Sequence, residues 1–217
     1  EELSVIKEKY NPDQVWFTDD VFTISREWLK KFDQELSERK LKLPYECISR
    51  TDCLDEEIIA LLKKTGCRKL WIGAESGSQK ILNLMNRKTD IIRTEEMIKL
   101  LKEAGISTGN FIMLGYPTEQ IKDIKLTVKY LLNSKPDEFT LALAYPIKGT
   151  VFYSEVINKI NQPFDWQLQT EREIKFRSSF SKLFYRFAIS YIYNSFNGNK
   201  EITFLKKTVL LIKALIS

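Results

Sequence analysis

The chain has 217 residues, 43% of them apolar and 29% charged, a composition that buries a sizeable core and excludes collagen-like, disordered and disulfide-scaffold classes. It contains no histidine, which removes Ser-His-Asp and Cys-His catalysis and histidine-bearing zinc sites from this chain. The net charge of +5 lies wholly after residue 150, where 10 basic side chains outnumber 5 acidic ones; before it the count is 24 and 24, which gives no electrostatic reason to expect nucleic acid as a partner.

In chain order, the sequence opens at Glu1 inside what reads as a helix, and we expect a fragment of a longer protein. The first strand is expected at 14–18. A helix follows with Ser25 as N-cap and Trp28, Leu29, Phe32 and Leu36 on one face. A second strand at 45–49 leads to a helix that starts at Asp55, turns Ile58, Ile59 and Leu62 inward and stops at Gly66. The third strand, 69–73, ends in Gly73-Ala74-Glu75-Ser76-Gly77. Met97, Leu100, Leu101 and Ala104 then mark a helix that stops before Gly105. A fourth strand at 110–114, a helix after Pro117 with Ile121, Ile124, Val128 and Leu131 inward, and a fifth strand at 139–144 complete the pattern.

Alternation of this kind means parallel strands joined by right-handed crossovers, in an open doubly wound sheet or a (β/α) barrel. In both, function sits at the C-terminal strand ends. After Thr150 the pattern changes: 151–173 is mixed, and a helix is expected from Ile174 with Phe176, Phe180, Leu183, Phe187 and Tyr191 on one face. A break at Asn197-Gly198-Asn199 precedes a last helix at 202–216.

Cys47, Cys53 and Cys67 are odd in number and irregular in spacing, which points to reduced thiols and a cytoplasmic location. The longest uncharged stretch, 104–118, is 15 residues with three glycines and a proline, too short and too broken for a membrane-spanning helix. No signal peptide is visible.

The strand ends carry a family resemblance. The runs Trp16-Phe17-Thr18-Asp19-Asp20-Val21-Phe22-Thr23, Ser49-Arg50-Thr51-Asp52, Leu61-Leu62-Lys63-Lys64-Thr65-Gly66-Cys67 and Ile72-Gly73-Ala74-Glu75-Ser76-Gly77-Ser78 come first. Met85-Asn86-Arg87, Ala104-Gly105-Ile106, Leu114-Gly115-Tyr116-Pro117-Thr118-Glu119 and Pro146-Ile147-Lys148-Gly149-Thr150 follow. In this order they resemble the radical S-adenosylmethionine (SAM) superfamily, in the branch that often carries an N-terminal cobalamin-binding domain. The resemblance covers roughly residues 1–155. It implies an α/β fold, an incomplete parallel (β/α) TIM-type barrel of about five strands over 1–155, to which the changed pattern after Thr150 adds a C-terminal helical extension over 156–217.

It also implies SAM and a [4Fe–4S] cluster as cofactors, with cobalamin through an upstream domain and an electron donor such as flavodoxin or ferredoxin. The cluster is normally held by a CxxxCxxC loop after the first barrel strand. The cysteines here are 6 and 14 residues apart and cannot form that loop, which is expected upstream of Glu1. By the resemblance, Thr18 and Asp19 meet the amino group of SAM, and Arg50 points to the same mouth. Glu75, with Ser76 beside it, contacts the ribose, Arg87 binds the carboxylate, and Met113 and Ala144 offer backbone to adenine.

Each position has a plainer alternative. Asp19 and Asp20 could cap the next turn, Arg50 could pair with Asp52, Ser76 could cap a helix, and Arg87-Lys88 could be an exposed basic pair. Two rival functions stay open. One is a non-catalytic ligand-binding barrel that has lost its cluster. The other is a membrane-surface or scaffold protein using the basic, aromatic C-terminal helices in peripheral contact.

Overall fold

The structure is a computed structural model and describes residues 1–159, 176 and 178–198. Helix α1 (Glu2–Tyr10) leads to β1 (Val15–Trp16), α2 (Arg26–Glu38), β2 (Tyr45–Ser49) and a 3-10 turn at Thr51–Cys53. Then come α3 (Glu56–Thr65), β3 (Cys67–Glu75), α4 (Gln79–Leu84), α5 (Ile91–Glu103), β4 (Ser107–Leu114), α6 (Ile121–Ser134) and β5 (Glu138–Leu143). Beyond the sheet lie α7 (Val151–Val156), a 3-10 turn at Ile157–Lys159 and α8 (Lys182–Phe196). The five strands form one parallel sheet in the order β1-β2-β3-β4-β5, a partial TIM-type barrel fold with helical crossovers. Among the described residues no helix is long and apolar enough to cross a membrane.

The chain divides into two compact units, residues 1–112 with 129–140 and residues 113–128 with 141–217. In the first, alternation along the strands sorts the side chains. Tyr45, Cys47, Leu70 and Ile72 are buried, as are Leu29, Ile58, Leu62, Met97, Ile98 and Leu101 of the crossover helices. Side chains of this size each contribute about 1.5–3 kcal/mol when fully buried. The opposite sheet face is different in character. Trp71 stacks on Phe111 with ring centroids 4.9 Å apart, and its Nε1–H donates to Glu46 at 3.1 Å. Lys69 reaches Glu138 at 2.7 Å on the same face.

Helix starts follow the cap chemistry expected from the sequence. Ser25 accepts from Trp28 N–H at 3.2 Å, and Asp55 from Ile58 N–H at 2.9 Å. Gly66 ends α3 in the left-handed region (φ +100). Asp55 also pairs with Arg26; that side-chain bond first, and the Ile58 N–H second, hold its carboxyl below the ordinary aspartate value. Asp55→Ala is therefore expected to cost about 1 kcal/mol and Asp55→Asn less, read from urea midpoints, because the amide keeps the cap. The ion pair is well exposed and adds less than about 1 kcal/mol. A depressed folded pKa makes that contribution present above the unfolded value of about 3.9 and lost as pH falls through the folded one.

Several expectations need correction. The first strand is two residues, not five, because the ladder with β2 closes at Val15–Tyr45 and Trp16–Glu46. Trp28 is 45% exposed, although it stacks on Phe32. The helix expected from Ile174 starts at Lys182: Phe176 lies in a bridge, and the Ser181 hydroxyl caps Phe184 N–H at 3.2 Å. Its buried face is Phe184, Tyr185, Ala188, Tyr191 and Ile192, while Leu183 is 48% exposed. Aromatic residues on both faces of this segment make spacing alone ambiguous. The helix expected at 202–216 lies outside the described residues.

Candidate functional site

The C-terminal end of β3 is built to turn one carboxylate aside. Gly73 pairs with Phe111 and Glu75 with Ile112, so two steps on β3 face one on β4, a bulge at Ala74. Ser76 N–H then returns to Ala74 C=O at 2.7 Å, closing a three-residue turn around Glu75. Glu75 takes φ +58 there, a region that glycine enters freely and glutamate only at a cost. A Cβ at Gly73 would stand 3.1 Å from Glu75 Oε1, so the glycine leaves room for the carboxylate to lie back along the strand.

Glu75 is buried, and its carboxylate accepts from Arg87 Nη2. Burial pushes the Glu75 carboxyl above its ordinary value, and the guanidinium pulls it only part of the way back. Arg87 keeps 40% of its side chain exposed, so one of its edges is committed to Glu75 while much of the side chain faces solvent. Ser76 Oγ accepts from Ser78 N–H at 3.1 Å just before α4, whose N-cap is Ser78 itself.

The other expected residues of the first unit stand at the neighbouring strand ends. Thr18 and Asp19 are exposed in the segment after β1. That segment is tied to the end of β2 by Phe22 N–H on Ile48 C=O at 2.9 Å and by the Thr23 and Ser49 hydroxyls 2.5 Å apart. The helix that follows is capped by Ser25, as expected. Arg50, just past β2, grips Asp52 through Nε at 2.9 Å and through Nη2. Glu75 and Arg87 touch each other directly.

Met113 and Ala144 belong to the second unit. They lie at adjacent positions of β4 and just past β5, where Ala144 N–H donates to Leu114 C=O at 2.7 Å. The turn after them was not legible as a construction. Gly115 sits at φ +84, its N–H donates to the Glu119 carboxylate at 2.9 Å, and the Tyr185 ring lies 3.5 Å from where a Cβ would be. Burial, with Glu119 nearby, raises the Tyr185 phenol well above its usual range. A glycine four residues before a glutamate is the signal in the sequence for the first contact; nothing local announces the tyrosine.

The cysteines do not make a cluster site. Cys47 and Cys67 are buried with sulfurs 3.9 Å apart, and Cys53 lies elsewhere, bonded towards Asp52. Burial drives the Cys47 thiol far above the range in which thiolates form. Among the described residues no group of three or more histidine, cysteine or acidic side chains is arranged to hold a metal.

Comparison with known proteins gives a consistent picture. The profile of the Radical SAM superfamily matches residues 1–131. An uncharacterized methyltransferase of Pyrococcus horikoshii is 25% identical over 173 residues, 78% of this chain and 37% of that protein. A putative methylthiotransferase of Methanocaldococcus jannaschii is 32% identical over 124 residues, 57% of this chain and 27% of that one. Among solved structures, the radical S-adenosylmethionine methyltransferase TsrM of Kitasatospora setae, with cobalamin and a [4Fe-4S] cluster bound, superposes with a TM-score of 0.63 at 18% identity. That match covers 72% of this chain and 32% of TsrM. The chain thus spans 27–37% of the length of these three proteins.

Proposed function

The chain belongs to the radical SAM superfamily, whose enzymes work with S-adenosylmethionine and a [4Fe–4S] cluster, and on that premise we propose that residues 1–155 supply the SAM-binding strand ends of an enzyme that cleaves SAM reductively. The observation that carries this reading is the Glu75–Arg87 pair on a bulged, glycine-flanked strand end. A guanidinium is shaped to receive the ligand's carboxylate through two parallel N–H bonds. Arg87 has exposed surface for it, while Glu75 holds the guanidinium in place and offers oxygens to the ribose hydroxyls. Thr18 and Asp19 take the ammonium group, Arg50 adds positive charge once released from Asp52, and Ser76 shapes the turn beneath the ribose. Met113 and Ala144 present backbone to adenine.

Bound there by Arg87, Glu75, Thr18 and Asp19, SAM would supply radical chemistry on one-electron reduction by the cluster. The protein's part is to orient and to exclude water. The cluster does not fit the cysteines of this chain, since two are buried side by side and the third is remote. We assign its thiolates to sequence outside these residues. The methyl- and methylthiotransferase relatives support group transfer as the outcome, and the cobalamin in TsrM supports a cobalamin-binding part elsewhere in the protein. The substrate is an unidentified small molecule, the reductant a flavodoxin or ferredoxin, and the location the cytoplasm, in keeping with three unbridged cysteines. We assign residues 156–217, in which α8 spans Lys182–Phe196, to a C-terminal extension of that barrel.

The test has two arms. Residues 1–217 alone, reconstituted anaerobically, are expected to hold no stoichiometric iron and sulfide. The intact protein, given SAM and dithionite, is expected to release 5′-deoxyadenosine. Binding of SAM by the intact protein without that product would instead favour a non-catalytic barrel.

A further inference from the structure

Arg87 stands on the short link between α4 and α5, next to Asn86, whose backbone takes a left-handed turn at φ +53. A link of this kind holds a side chain in place only if something outside it fixes the backbone. Three threonines from two separate segments do so. Thr51 Oγ1 lies 2.5 Å from Thr89 Oγ1 and 3.4 Å from Thr94 Oγ1, and Thr89 and Thr94 are 3.3 Å apart.

The protons balance. Thr94 donates to Asp90 C=O at 2.8 Å, so towards the other two it only accepts. Whichever of Thr51 and Thr89 donates across their short contact, the other has its proton free for Thr94. No hydroxyl is left without a partner, which matters because Thr51 and Thr94 are 2% and 3% exposed. Gln79 holds the same link from a third side. Its Nε2 donates to Thr89 C=O at 3.4 Å and its Oε1 accepts from Ile91 N–H at 3.3 Å.

Valine would fill the same volume at each threonine without needing partners, so packing does not account for three hydroxyls in mutual contact. Direction does: hydrogen bonds fix relative position where apolar contact tolerates sliding. Thr51 immediately follows Arg50, and Thr89 is two residues past Arg87. We propose that the Thr51–Thr89–Thr94 hydroxyl cluster is a positioning device that locks the Arg87-bearing link to the Arg50-bearing strand end and so fixes where Arg87 meets the carboxylate of SAM. The inference rests on the reading that Arg87 takes that carboxylate.

The experiment measures equilibrium binding of two probes, SAM and its decarboxylated analogue, to the intact holoenzyme. Arg87→Ala is the control for the underlying reading: it should weaken SAM binding and spare the analogue. Thr51→Val is expected to weaken SAM roughly three- to tenfold, the value of one neutral hydrogen bond, with the analogue changed less than about twofold. Thr51→Ser, which restores the hydroxyl, is expected to bring SAM binding back. Thr89→Val reaches the same contact from its more exposed side and should show the same selectivity, should Thr51→Val fold poorly. If Arg87→Ala discriminates between the probes while Thr51→Val and Thr89→Val weaken both equally or neither, the positioning role is overturned and the carboxylate assignment stands. If Arg87→Ala itself does not discriminate, the assignment falls and the inference with it.

Discussion

Arg87→Ala is expected to lower the affinity of the intact protein for SAM by about ten- to a hundredfold, the range of a charge-assisted bond worth about 1.5–3 kcal/mol. An arginine in a mere surface pair would contribute less than about 1 kcal/mol and leave binding nearly unchanged. Titration calorimetry separates the two. Glu75→Ala is expected to cost less through the ribose, whose hydroxyls are neutral, but it also removes the partner that holds Arg87.

Arg87→Ala carries a signature in stability as well. Without the guanidinium nothing offsets the burial that already raises the Glu75 carboxyl. A carboxyl whose folded pKa exceeds its unfolded value of about 4.3 binds more protons in the folded state, so stability falls as pH rises between those two values. Parent and variant lose stability alike until the parent's raised carboxyl ionises, so the deficit of Arg87→Ala should be small at low pH and grow once pH passes that folded value, seen in urea midpoints taken across the range. A deficit independent of pH would mean that Glu75 relaxes into solvent.

The second large effect is expected at Gly109. A Cβ there would stand 2.4 Å from Trp71 Cε3 and 2.5 Å from Cδ2, well inside contact distance. The indole has little room to yield: its Nε1–H is bonded to Glu46 and its ring is stacked on Phe111, with Trp16 centred 5.9 Å away. Overpacking of this kind costs about 1–3 kcal/mol, and Gly109→Ala is expected at the upper end, measured as a shift in the denaturant midpoint. In a Trp71→Ala background the added methyl meets no ring, so Gly109→Ala should cost far less there; simple additivity of the two substitutions would show that the strain lies elsewhere.

The fold was largely legible, and for stated reasons. Ser25, Asp55 and Gly66 announce helix ends through chemistry confined to a few neighbours, and the structure uses all three. The run 45–49 is a strand with the bounds read from the sequence. The register of α8 was not legible, because Phe180, Leu183, Phe187 and Phe184, Tyr185, Ala188 both make apolar stripes and only tertiary burial chooses between them. At the candidate site the residue types were readable, but the partnerships were not. That Arg50 grips Asp52 was foreseen as an alternative, whereas the Glu75–Arg87 pair depends on a bulge at Ala74 that no pattern of two-residue alternation predicts. The threonine cluster joins residues 38 apart in the chain and leaves no local trace at all.

The order of the sheet bears on how the chain comes to be folded. Its strands neighbour one another in the order in which a ribosome makes them. Register partners lie 22 residues apart between Tyr45 and Cys67 and 38 apart between Leu70 and Thr108, so each closing loop is of moderate length and its entropy grows only slowly with size. At a synthesis rate of about 5–20 residues per second, one strand and its crossover helix emerge every few seconds. Each newly made strand finds its partner already displayed, and none has to wait for an edge still inside the ribosome. An arrest after any crossover helix leaves a paired sheet with one newest edge open, the edge that the next unit, or an unwanted second chain, would extend.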